Sequence, residues 1–164
     1  TAGMGPENVE EFTLTVKGEP FIRPKLEELV PHFIEIDGAS VAAGLGGVVS
    51  EVDRASLTDD FAEYVAAGFR RALSGGVEGW LEDGLAFCKP WGFDLAQIRR
   101  PVAVWQGGED RMVPFSHGQW LAAHVPLAEA HLYPEQGHLS IAVASLPAIL
   151  GGLAARAGAT TSAR

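Results

Sequence analysis

Apolar positions in the first half of the chain recur at three- and four-residue spacing, whereas in the second half they gather in short unbroken runs. The firmest periodic stretch is Phe61, Tyr64, Val65, Phe69 and Leu73, which predicts an amphipathic helix over 57–73 with Thr58 as its cap and Gly75-Gly76 as its stop. A first helix opens at Pro6-Glu-Asn-Val-Glu-Glu-Phe12, where acids in the leading turn complement the helix dipole, and Gly18-Glu-Pro20 breaks it. Further helices are predicted over 21–33 and 77–87, the latter with Trp80, Leu81 and Leu85 facing inward. The run from Ala39 to Ser50 is apolar but rich in glycine, which costs about 1 kcal/mol per position against alanine in a helix interior, so a loose helix is expected there.

The character of the chain changes at Lys89-Pro-Trp-Gly-Phe-Asp94, where Pro and Gly punctuate it, and Trp91 and Phe93 are expected to pack where the two parts meet. Val102-Ala-Val-Trp105, bounded by Pro101 and Gly107-Gly108, suits a central parallel strand buried on both faces. Pro114 then sits near the first turn of a helix over 114–124, where its missing N–H does no harm. Ala130-His-Leu-Tyr133 is a second strand, and 140–155 a closing helix with Ile141, Val143, Leu146, Ile149, Leu150 and Leu153 as its apolar positions. Strand, helix, strand, helix is the order of an α/β unit. The chain thus divides into a helical region over 1–90 and an α/β unit over 91–164, with a small polar tail over 157–164 expected to fray.

At 164 residues, 47% apolar and 20% charged, the chain can bury a core. A net charge of -9 with no basic run argues against nucleic acid and anionic membrane as partners and leaves a small-molecule substrate open. No segment approaches the roughly 18–20 uninterrupted apolar residues of a bilayer span, and no signal core is visible at the N-terminus. The single Cys88 excludes an intramolecular disulfide framework and a cysteine-based zinc site, and fits a reducing, cytoplasmic location. His32, His117, His124 and His131 show no ligand spacing with carboxylates, so neither a metal nor any other cofactor is assigned. Residue 1 is Thr and the first Met is Met4, so the chain is expected to begin inside a longer gene product.

In an open parallel sheet, reactive groups collect just beyond the carboxyl ends of the strands. Asp110 follows one such end and His138 the next. A carboxylate and an imidazole so placed can meet: the acid accepts one ring N–H, fixes the tautomer and stabilises the imidazolium, leaving the other nitrogen as a general base. Taken singly, a turn acid is ordinarily solvated or a helix cap, and a lone histidine an ordinary surface residue. Their appearance at matching strand ends favours the joint role. Gly107 and Gly108 are expected to relax the turn so that Asp110 bends inward, and Gly137 to let the backbone approach closely at His138.

The run Ile98-Arg-Arg-Pro-Val-Ala-Val-Trp-Gln-Gly-Gly-Glu-Asp-Arg-Met-Val-Pro114, with Gly137-His138 downstream, resembles the C-terminal part of an α/β-hydrolase. Residues 94–153 carry the resemblance; residues 6–90 resemble less specifically the helical cap that many members insert. It implies a partial α/β-hydrolase fold, a helical cap followed by the C-terminal β-α-β-α of the parallel sheet. It also implies that Asp110 is the triad acid and His138 the triad base, since the family orders its triad nucleophile, acid, histidine.

The family's nucleophile sits in a Gly-x-Ser-x-Gly elbow, and this chain has none. The nearest string, Gly38-Ala-Ser-Val-Ala42 after the faintly strand-like His32-Phe-Ile-Glu-Ile36, reads as a decoy, and Cys88, without flanking glycines, as a small apolar filler of the cap. Two parallel strands alone make a poor sheet, about three being the usual minimum. The chain therefore reads as a fragment of a serine-type hydrolase of carboxylic esters or related acyl compounds. It is expected to be inactive alone, its sheet edge covered by a missing N-terminal part or by self-association. The alternatives are a parent with an aspartate nucleophile, of the dehalogenase or epoxide hydrolase type, and a non-catalytic ligand-binding or interaction module on the same scaffold.

Overall fold

The computed structural model describes the backbone of residues 1–161 and side chains as far as Ala157. Helices α1 (Pro6–Thr15), α2 (Glu19–Glu35), α3 (Val41–Gly44), α4 (Glu51–Ser56), α5 (Asp59–Leu73) and α6 (Glu78–Phe87) precede strand β1 (Val102–Gly107), α7 (Phe115–His124), strand β2 (Ala128–Tyr133) and α8 (His138–Thr161). Single 3-10 turns stand at Gly46–Val48 and Leu95–Gln97. The mixed architecture, helices plus a small parallel sheet, is that of a partial α/β fold.

Apolar side chains that share one helix face build the helical half. Ile22, Leu26 and Phe33 form the buried face of α2, which runs through two internal prolines, Pro24 and Pro31. Each proline removes a backbone donor, so this helix is held by the burial of that face rather than by its own hydrogen bonds. Phe33 joins Ile36, Val41, Val49, Ala62 and Ala66 in the main core, its ring 5.0 Å from Phe69 and 5.8 Å from Trp80. Val41 and Val49 are wholly buried, each worth about 1.5–3 kcal/mol against exposure. Ile22 and Leu26 pack with Val77 and Leu81 in a second cluster.

Several expectations are corrected here. His32–Glu35 is not strand-like but the last turn of α2, and Ile36 is its extended C-cap. The glycine-rich stretch after Ala39 breaks into the four-residue α3 and a 3-10 turn, because Gly46 takes φ +59°, which a continuous helix does not allow. Tyr64 is exposed, whereas Leu73 is buried as expected and Val65 and Phe69 pack against the core; the small Ala62 and Ala66 complete the buried face of α5, which α2 and α3 contact. Thr58 occupies the cap position of α5 without a side-chain hydrogen bond. Cys88, Trp91 and Phe93 are exposed, so Cys88 is no filler, and the two aromatics meet each other at a tilt, ring centroids 6.0 Å apart, rather than packing in a junction. Helix α4 was not expected at all.

The two strands pair in parallel, Val102 opposite Ala128 through Gly107 opposite Tyr133. Alternation along β1 sends Val104 and Gln106 to one face and Ala103 and Trp105 to the other. On the first face α7 comes so close at Gly118 that a Cβ there would lie 2.5 Å from Gln106. On the second, Trp105 stacks at 3.8 Å on His131 in a cleft shared with Ile149 and Leu153 of α8. Trp105 is therefore half-buried rather than central.

Helix α8 outruns the prediction at both ends: it runs to Thr161, so the tail expected to fray is helical over 157–161, and residues 162–164 lie outside the described residues. Ser140, Ile141 and Ser145 are buried, whereas Val143, Leu146, Leu150 and Leu153 are exposed. By mean hydropathy, 1.7 over His138–Ala157, this helix has the length and composition of a membrane span, a property that an apolar helix packed inside a soluble protein shares, and no unbroken apolar run underlies it.

Candidate functional site

The site is built where the loops leaving β1 and β2 lock together. Gly108 N–H donates to Tyr133 O and Glu109 N–H to Gln136 O, both at 2.8 Å. A Cβ at Gly107 would lie 2.3 Å from Gln136 O, and one at Gly108 2.3 Å from Pro134 O. Neither glycine takes a positive φ, so their role is close backbone approach rather than a relaxed turn.

Asp110 is 6% exposed and fully engaged. Its Oδ1 accepts the N–H groups of Met112 and Val113 at 2.8 Å each, closing the turn on its own side chain. Its Oδ2 accepts Gln106 Nε2–H at 2.9 Å and lies 2.9 Å from His138 Nδ1. A carboxylate offers only lone pairs, so Nδ1 carries the hydrogen and donates it. The ring's tautomer is thereby set, with Nε2 left as the basic nitrogen. The side chain of His138 is 39% exposed, and among the described residues no serine, threonine or cysteine hydrogen-bonds to its ring. The hydrogen bond to Asp110 raises the His138 pKa, burial draws it down, and the charges of Asp110 and Asp53 raise it further; the net result lies above the ordinary imidazole value.

The helical half holds both members of this pair in place. Asn8 Nδ2–H donates to Met112 O at 3.0 Å and Gly5 N–H to Arg111 O at 2.7 Å, so the leading end of α1 fixes the acid turn. Met112 and Leu139 pack against the main core.

The histidine is anchored by a residue that sequence reasoning missed. Asp53 of α4 is wholly buried, and its carboxylate accepts the N–H groups of His138 at 3.1 Å and of Leu139 and Ser140 at 2.9 Å, the three leading amides of α8. Ser50 Oγ–H adds a fourth bond at 3.0 Å, and Gly137 N–H donates to Ser140 Oγ at 2.7 Å. A Cβ at Gly137 would fall 2.3 Å from the Asp53 carboxylate, so the expected close approach at Gly137 is made to this side chain. Burial pushes the Asp53 carboxyl up, but the bonds from Ser140, Ser50, His138 and Leu139 outweigh it and hold the group below the usual carboxylate range. A possible signal was Ser50 three residues before Asp53, a capping pair after an apolar run, though nothing in it points to His138.

The other candidates stay apart. Ser40 is exposed, its Oγ 2.5 Å from Asp37 Oδ1 in the turn after α2, with no strand before it. Cys88 ends α6. His124 stacks on Trp120 at 4.2 Å, and His131 Nε2 lies 3.0 Å from Glu129. Among the described residues no group of three or more His, Cys, Asp or Glu side chains could hold a metal ion. A cavity of about 460 Å³ beside α1, α5 and α6 is lined by Phe12, Phe69, Trp80 and Phe87 and includes neither Asp110 nor His138.

No protein-family model matches the chain, and no solved structure matches it. A 44-residue stretch, 27% of the chain, is 41% identical to 2-hydroxy-6-oxo-6-phenylhexa-2,4-dienoate hydrolase of Burkholderia cepacia and covers 15% of that protein. In sequence, then, the chain is similar over a short span to part of a hydrolase.

Proposed function

We propose that the chain carries the acid and the histidine of a serine-type α/β-hydrolase acting on carboxylic esters or related acyl compounds, the attacking hydroxyl being supplied from outside these residues. The observation that supports this most is the 2.9 Å contact of His138 Nδ1 with a buried carboxylate while the ring remains part-exposed. The short likeness to a hydrolase supports the same reading. In the reaction, His138 Nε2 takes the proton of the serine hydroxyl as it attacks the acyl carbon and returns it to the leaving group. Asp110 holds the ring and stabilises the imidazolium between those two transfers; water then repeats the cycle on the acyl-serine. Residues 1–90 act as the cap over the acyl group and 91–164 as part of the sheet core, whose open edge is completed by the part that brings the serine.

The test is hydrolysis of p-nitrophenyl acetate and butyrate, and of 2-hydroxy-6-oxo-6-phenylhexa-2,4-dienoate, by the complete gene product. His138→Ala is expected to lower kcat by roughly 10⁴-fold with binding retained. Turnover unchanged by that substitution removes His138 from the mechanism. Ligand binding without turnover of any substrate favours a binding module instead.

A further inference from the structure

Asp53 lies 85 residues before His138 in sequence, yet it holds the first peptide N–H of the helix that carries the histidine. Helix caps are ordinarily local, made by a residue next to the helix they close. Here the cap comes from another helix, is wholly buried, and binds three successive amides of α8, and the backbone from which the His138 ring hangs is one of the three. The ring is held by Asp110 at its Nδ1 and the main chain by Asp53, so two carboxylates grip one residue, one through its side chain and one through its backbone. The charged groups acting on the ring are these two, Asp110 from the turn after β1 and Asp53 from α4.

We propose that Asp53 is a positioning residue for His138, fixing the ring's backbone through the leading amides of α8 and so holding its Nδ1–H on Asp110. This rests on the reading of His138 as a general base, but its measurable consequence does not. A carboxylate that only closes a helix end contributes stability; one that also serves the ring must appear in the titration of that ring.

The experiment is an NMR titration of the His138 imidazole in the full chain, wild type against Asp53→Asn, Ser50→Ala and Asp110→Asn. Asp53→Asn is nearly the same shape but uncharged, and His138 is expected to titrate at lower pH than in wild type. Amide exchange at His138, Leu139 and Ser140 is expected to quicken by roughly tenfold or more, as charge-assisted bonds are lost. Ser50→Ala removes one donor and keeps the charge; it is expected to lower stability while leaving the His138 titration in place. A folded Asp53→Asn with an unmoved His138 titration overturns the proposal, as does a Ser50→Ala shift as large as that of Asp53→Asn. Should Asp53→Asn fail to fold, the Asp53 carboxyl carbon of the labelled wild type decides: an inflection at the His138 midpoint supports the coupling, and its absence overturns it. Asp110→Asn reads the acid of the proposed triad separately, so an inactive gene product with a moved His138 titration sinks the hydrolase reading and leaves the role of Asp53 standing.

Discussion

At the scale of single residues, charge placement decides how the site responds to pH. The His138 pKa is raised, chiefly by its bond to Asp110. The pair's contribution to folding is therefore fully present below the unfolded imidazole value of about 6.5 and is lost as pH rises through the folded value. Catalysis runs the other way, since the base must be neutral to accept a proton. The acid limb of a kcat/KM profile of the complete protein is expected above the ordinary imidazole value, and Asp110→Asn is expected to move it to lower pH while depressing the plateau. An acid limb that Asp110→Asn leaves unmoved would show that His138 does not set it. Asp53 has the opposite sign: its lowered carboxyl stabilises the fold above about pH 3.9, and that share is lost as pH falls through its folded value. Asp110 and His138 are legible in the sequence because each follows a strand end, a local signal. Asp53 is not, because the three amides of α8 that it holds lie 85–87 residues further along the chain, and its local pairing with Ser50 reads only as a cap.

At the scale of elements, long periodic segments are read well and short ones poorly. Helix α5 and both strands fall where period and composition put them, whereas α4 escapes notice because six residues hold too few apolar positions to show a period. Its place is fixed by what it touches: Ser50 caps it from the N-terminal side, and α8 packs against it. The loops after β1 and β2 behave as one element, since two backbone bonds and two glycines bring them into contact. Gly107→Ala forces a methyl into the carbonyl of Gln136 and is expected to destabilise the chain by about 2 kcal/mol, read from urea midpoints. Gly68→Ala, where a Cβ meets nothing within 4 Å on α5, serves as the control and is expected to be neutral or stabilising. Equal losses at both sites would show that the loop contact is not what Gly107 serves.

At the scale of the whole molecule, the apolar stripe of α8 and a sheet of two strands leave surface that a completed sheet core is expected to cover. The 164-residue chain alone is expected to self-associate through it. Leu146→Glu with Leu150→Glu is expected to shift sedimentation toward monomer without disturbing the His138 titration; association that persists places the contact elsewhere. The division at residue 90, clear as a change of composition, is not a division of the structure's supports. Asn8 holds the turn of Asp110, and Asp53 holds the helix of His138. A protease nick in the exposed linker around Lys89 should therefore leave a two-piece complex that survives dilution, while neither piece made separately in a cell has both of its ligatures. Recombining the two pieces would serve as a reporter, its signal appearing only when the halves meet.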